Sequence, residues 1–134
     1  IPAMIAKFET AKRYKKKIVK LLGTGRPLRE FIHSNDLAEA IYFCLRIKKI
    51  SLKKLFKSKL PIINVGTKDE ISIKKLSRLI ANYIGYKGKV IFDKSFPDGT
   101  FRKNLDSSKI NNLGWKPKIN FKKGLRKLIN LRGY

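Results

Sequence analysis

Gly23-Thr24-Gly25-Arg26-Pro27-Leu28-Arg29-Glu30-Phe31-Ile32-His33 runs directly into Ser34-Asn35-Asp36-Leu37-Ala38-Glu39-Ala40-Ile41, and this stretch decides the fold class. A glycine pair turns the chain, Pro27 fixes the direction of the residues after it, and a short apolar strand leads into a capped helix. Such a unit can hold a single guanidinium in a set direction, which suits an anion. On its amino side, Ile18 to Leu22 reads as a strand that Gly23 stops. Arg29 to His33 reads as the second strand, and Ser34 or Asn35 caps a helix whose apolar positions are Leu37, Ala38, Ile41, Cys44 and Leu45.

Further out, Pro2 followed by Met4, Ile5, Phe8 and Ala11 at three- and four-residue spacing predicts an amphipathic helix that ends in Lys15-Lys16-Lys17. The lysine-rich segment from Ile47 to Leu60 reads as a surface excursion with some helix. Pro61 to Gly66 reads as a buried strand. Ser72 caps a helix through Ile73, Leu76, Leu79, Ile80 and Tyr83, with Gly85 in the stop position. Lys89 to Asp93 is a further strand, Ser107 and Ser108 start a short helix that Gly114 ends, and Phe121 to Leu131 supplies the last helix. Strands and helices alternate without a visible repeat, so the class is α/β.

Thirty-three basic against nine acidic residues give a formal charge of +24. That makes nucleic acid a partner to weigh, through non-specific, salt-sensitive phosphate attraction. Lysines outnumber arginines 25 to 8, however, and isoleucine and asparagine are also abundant. All three have A- and T-rich codons, so base composition accounts for much of the excess without any partner. The single Cys44 and single His33 exclude an internal disulfide and a zinc cluster of cysteine and histidine. A reducing, cytoplasmic setting is the expectation. No apolar run approaches a membrane span, and the first residues lack the layout of a signal peptide. The opening on Ile1-Pro2 points to a missing upstream part.

Gly23-Thr24-Gly25 is not a dinucleotide fingerprint, because Arg26 and Pro27 stand where a third glycine and a helix mouth are needed. Tyr83 and Lys87 are four apart but straddle Gly85 at a helix end, so they do not make a reductase pair. The residues from Gly23 to Glu39 nevertheless resemble the Gly-(Ser/Thr)-Gly-x-Pro-x-Arg-Glu-Phe-(Leu/Ile)-His-x-x-Asp segment of the GDP-L-fucose synthase family, within the extended short-chain dehydrogenase/reductases. Ile1-Pro2-Ala3-Met4-Ile5, Ile63-Asn64-Val65-Gly66-Thr67, Gly85-Tyr86-Lys87-Gly88, Pro97-Asp98-Gly99-Thr100 and Leu113-Gly114-Trp115-Lys116-Pro117 are similar to further segments of that family. The likeness covers nearly all of residues 1–134.

The resemblance implies that the chain is the carboxyl-terminal, substrate-binding portion of such an enzyme, with the upstream Rossmann core absent. The family epimerises a GDP-linked 4-keto-6-deoxy sugar and reduces its ketone with NADPH. On this likeness the NADP-binding fold and the catalytic residues lie upstream of Ile1, the fragment by itself is inactive, and neither His33 nor Cys44 inherits a catalytic role. Four positions inherit substrate contacts: Lys7 near the diphosphate, Leu22 as apolar contact, Arg29 as a planar donor fork on phosphate, and Asp98 as acceptor for ribose hydroxyls. Arg102 is a weaker candidate for the same anion. The full enzyme is expected to be a homodimer, with neither a specific nucleic acid nor a membrane as partner. Two rivals remain: another NAD(P)-dependent nucleotide-sugar epimerase or dehydratase, and a small basic nucleic-acid-binding protein.

Overall fold

The computed structural model describes residues 1–48 and 62–132. The chain divides into two units, the first made of Ile1–Arg29, Glu70–Lys103 and Lys122–Tyr134, the second of Glu30–Asp69 and Asn104–Phe121.

In the first unit, helix α1 (Pro2–Arg13) begins on the expected proline and ends before Lys15, whose φ of 51° turns the chain. Strand β1 (Ile18–Leu22) pairs in parallel with β4 (Lys89–Asp93), from Ile18 opposite Lys89 to Leu22 opposite Asp93. Between them in sequence, β3 (Glu70–Ser72) leads into helix α3 (Ile73–Ile84). The start of α3 is held by three bonds: Ser72 accepts from the Lys75 N–H, Ile73 N donates to Pro27 O, and Lys74 N donates to Gly25 O. These bonds satisfy three donors that a free helix end leaves open. Gly85 closes the helix in the left-handed conformation at φ 74°. α1 packs on α3, burying Ile5, Phe8, Leu76, Ile80 and Ile84, each worth about 1.5–3 kcal/mol of apolar burial. Glu9 and Arg132 form a two-bond ion pair at 3.0 and 3.1 Å.

Strand β2 (Leu28–Glu30) is shorter than the expected Arg29 to His33 and lies in a three-stranded sheet of order β3-β2-β5, where β5 is Arg102–Lys103. Leu28 and Arg29 pair in parallel with Arg102 and Lys103. Residues 31–33 leave the ladder because His33 becomes the cap of helix α2 (Ser34–Leu45), its Nδ1 accepting from Asn35 N at 3.1 Å. The cap is therefore His33, not Ser34 or Asn35.

The second unit corrects two further expectations. The buried side of α2 is Asp36 and Ala40, with Phe43 and Cys44 partly buried, whereas Leu37, Ile41 and Leu45 are exposed. Its core is Ala40, Ile110 and Trp115, flanked by Ile32, Phe43, Cys44, Ile63 and Val65, so Cys44 is a packing residue as expected. Residues 62–69 are not a strand. Two of their amides turn to a side chain instead: the Glu30 carboxylate accepts from Thr67 N and from Lys68 N at 2.6 Å, and also from Leu105 N at 3.0 Å. Gly66 sits so close to that carboxylate that a Cβ would meet Glu30 Oε1 at 2.5 Å. Residues 49–60 of the lysine-rich segment lie outside the described residues. Helix α4 (Ser108–Asn112) and helix α5 (Phe121–Asn130) fall close to the expected bounds, and Gly114 comes after α4 at φ 105°.

Asp36 is only 2% exposed, and its two oxygens accept from Lys118 N at 3.2 Å and Ile119 N at 2.9 Å. Asp36→Ala should lower stability by about 2–3 kcal/mol, because it leaves two part-buried amides unpaired. Asp36→Asn, which keeps one acceptor oxygen, should fall between Asp36→Ala and the wild type. Urea unfolding midpoints of the three proteins check the order, and equal midpoints would remove Asp36 from the list of structural clamps.

Candidate functional site

The turn between β1 and β2 builds the site. Gly23 and Gly25 take φ of 78° and 72°, values that side chains rarely adopt. A Cβ on Gly25 would also meet the Phe92 ring at 2.5 Å, so both backbone and space demand glycine there. This bend exposes the Thr24 amide and hydroxyl to the loop after β4. Asp98 answers both, its Oδ1 accepting from Thr24 N at 2.8 Å and its Oδ2 from the Thr24 hydroxyl. Those bonds, first the Thr24 hydroxyl and then its amide, with Arg26 nearby, hold the Asp98 carboxyl below the usual aspartate range.

Arg29 lies one residue into the strand that begins at Leu28. Its Nη1 donates to Leu28 O at 2.6 Å and to Thr100 O at 2.8 Å, which fixes the plane of the guanidinium. Arg29, Asp98 and Leu22 line one cavity of about 140 Å³, together with Gly25, Pro27 and Ile73. The structure thus brings three of the four expected site residues together in the first unit. Leu22 is 60% exposed, an apolar side chain left on the cavity's edge. With two donor bonds of Arg29 spent on carbonyls, its remaining N–H groups are available for an anion. Each Asp98 oxygen likewise keeps a further lone pair for a hydroxyl donor.

Lys7 is placed elsewhere. It is exposed on α1 and lines a different cavity of about 390 Å³ with Thr10, Lys16 and Lys20. Arg102 is committed to Glu70, with Nε–Oε1 at 2.8 Å and Nη2–Oε2 at 2.6 Å. That pairing holds the Glu70 carboxyl below its ordinary value and raises the Arg102 guanidinium, so Arg102 is a strand-end ion pair. Residue type alone does not single out Thr24, whose hydroxyl locks Asp98. The signal was present in the alternation of glycine, hydroxyl and glycine, but its partner is 74 residues away.

The Gly23–Gly25 turn does not fit the pyrophosphate of a nicotinamide cofactor. A dinucleotide pyrophosphate is held at a helix mouth after a glycine turn, and here the Gly23–Gly25 turn opens into a strand. Among the described residues no group of three or more metal-ligating side chains occurs, and no helix is long and apolar enough to cross a membrane.

The model of the NAD dependent epimerase/dehydratase family matches residues 1–66. A probable GDP-L-fucose synthase of Oryza sativa subsp. japonica is 44% identical over 125 residues, which is 93% of this chain and 35% of that protein. The GDP-L-fucose synthase of Escherichia coli strain K12 is 38% identical over 93% of this chain and 39% of its own length. Among solved structures, a GDP-mannoheptose C4 reductase from Campylobacter jejuni with NADP bound superposes at a TM-score of 0.83 and 37% identity, over 99% of this chain and 44% of that one. The chain therefore spans well under half the length of these relatives.

The Asp98 clamp carries a pH dependence with a defined sign. Because the folded-state carboxyl lies below its ordinary value, the clamp is complete above that value and is lost as pH falls through the depressed one. Thr24→Val removes the hydroxyl donor and keeps the amide, so the Asp98 carboxyl should titrate at a higher pH than in the wild type. Carbon chemical shifts of the Asp98 carboxyl tracked through an acid titration check this, and coincident curves would break the link to Thr24.

Proposed function

We propose, for a chain that belongs to the NAD-dependent epimerase/dehydratase family, that residues 1–134 are the GDP-sugar-binding, carboxyl-terminal portion of a GDP-L-fucose synthase. The whole enzyme would convert GDP-4-keto-6-deoxy-D-mannose to GDP-L-fucose by epimerisation and NADPH-dependent reduction, as a cytoplasmic homodimer. The observation that carries the reading is the Arg29 cavity, where a pre-oriented guanidinium, a low-pKa carboxylate and an apolar edge converge. In this reading the Arg29 fork binds the diphosphate, where charge-assisted bonds are strongest. Asp98, held in place by Thr24, accepts from the ribose hydroxyls with its remaining lone pairs. Leu22 covers an apolar face of the ligand, while Lys7, which lines a different cavity, has no part in this binding.

The chemistry of hydride transfer stays outside these residues, since NADP would be held by the upstream portion. The chain alone should then show no NADPH oxidation with the GDP-keto sugar, and measurable turnover by the purified 134-residue chain would overturn that part of the proposal.

A second reading has its own support. The GDP-mannoheptose C4 reductase is nearly as similar to this chain as the synthases are, so the GDP end is the common factor and the sugar is what differs. Turnover of the two sugars by the complete enzyme separates the readings.

Arg29→Ala should weaken GDP binding by about 1.5–3 kcal/mol, the scale of a hydrogen bond to a charged group. Asp98→Asn should weaken GDP more than 2′-deoxy-GDP, because the deoxy ligand offers one hydroxyl fewer. Calorimetric titration of the chain with both nucleotides measures each effect. A loss shared equally by both nucleotides would detach Asp98 from the ribose, and unchanged GDP affinity in Arg29→Ala would detach Arg29 from the diphosphate.

A further inference from the structure

At the other end of the β1–β4 pair, a cavity of about 310 Å³ lies between the end of α1 and the turn before β4. Its nine lining residues include Lys12, Lys15, Lys16, Lys17 and Lys87, and none is acidic. At the chain's overall rate of 25 lysines in 134 residues, nine positions would hold about two; these hold five. Base composition therefore leaves most of this cluster unexplained. Helix ends account for part of it. The C-termini of α1 and α3 converge here, and together they amount to roughly one negative charge. Lys12 offsets that, its Nζ donating to Ile84 O at 2.7 Å. The other four ammonium groups have no acidic partner among the described residues.

The backbone that carries them is fixed. Lys16 N donates to Ala11 O at 2.8 Å, the Tyr86 hydroxyl donates to Lys16 O at 3.0 Å, and Lys89 N donates to Lys17 O at 2.8 Å. Gly88 allows the close approach, since a Cβ there would meet Lys17 O at 2.7 Å. Like charges held together in this way repel one another, and a multivalent anion relieves the repulsion.

We propose that this cavity is a second anion site, built for an oligophosphate chain. A single phosphate brings at most about two negative charges to four ammonium groups, whereas a chain of three linked phosphates carries enough to match all four. Tyr86 is 8% exposed, so the cavity lacks the open aromatic face on which a nucleic-acid base would stack. The site is separate from the Arg29 cavity, with β1 between them spanning about 16 Å at roughly 3.3 Å per residue.

Titration of the chain with inorganic triphosphate, orthophosphate and GTP tests the proposal. Triphosphate should bind more tightly than orthophosphate and more weakly as salt rises, and in the Arg29→Ala protein, where the GDP cavity is impaired, about as tightly as GTP, because only the phosphate chain is read. The Lys15→Gln/Lys16→Gln/Lys87→Gln protein should lose about tenfold in triphosphate affinity, while Lys48→Gln/Lys75→Gln/Lys116→Gln, with the same charge loss elsewhere, should lose roughly twofold or less. Should the first triple variant fail to fold, Lys87→Gln alone should still cost about threefold. Arg29→Ala should leave triphosphate binding unchanged. Equal losses in the two triple variants would reduce the effect to net charge. Loss of triphosphate binding in Arg29→Ala would place the anion in the other cavity, and displacement of triphosphate by a short RNA duplex with higher affinity would make this a nucleic-acid surface. Any of these results overturns the proposal.

Discussion

The left-handed backbone at Gly23 and Gly25 is the constraint on which the first unit depends. It lets one short turn serve four neighbours at once. Gly23 N donates to Asp93 O, closing the end of β1 against β4, while Gly25 O and Pro27 O receive the first amides of α3. Thr24, between the glycines, is aimed at Asp98, and Leu28 N donates to Phe101 O as the next strand begins. A residue with a Cβ at either glycine would strain the turn and disturb all four attachments together. The site is thus coupled to the helix and both sheets through hydrogen bonds made within residues 23–28.

What was legible in the sequence is what local chemistry decides. β1, β4 and α3 lie within their expected bounds because a stop glycine, an N-cap serine and a left-handed C-terminal glycine act within a turn of where they stand. α2 was legible as a helix and misread as a surface. Leu37, Ile41 and Leu45 recur at helical spacing, but the side that is buried carries Asp36, which two distant amides hold in the interior. Hydropathy periodicity ranks side chains by their own preference and cannot register a carboxylate satisfied from 82 residues away. The segment before Thr67 is not a strand either, and the two amides that follow it, Thr67 N and Lys68 N, answer to Glu30 and not to a ladder.

The site was legible in part from residue type, in part only through the resemblance, and incomplete in its supports. Arg29 is legible as a directed guanidinium beside Pro27, whereas Asp98 and Leu22, which share its cavity, come from the family resemblance. Lys7 comes from the same resemblance and stands on a different cavity. Thr24 and Glu30, which hold the neighbouring loops, could be recognised only once their long-range partners were known.

The exposed Leu37, Ile41 and Leu45 on α2 set this apolar stripe against the charge of +24. At low ionic strength, repulsion between copies keeps the stripes apart. At 0.15 M salt the repulsion reaches only about 8 Å, while apolar attraction is untouched. Salt thus sets how far the charge can shield this exposed stripe, more in dilute buffer than in concentrated, with every fold-forming contact unchanged.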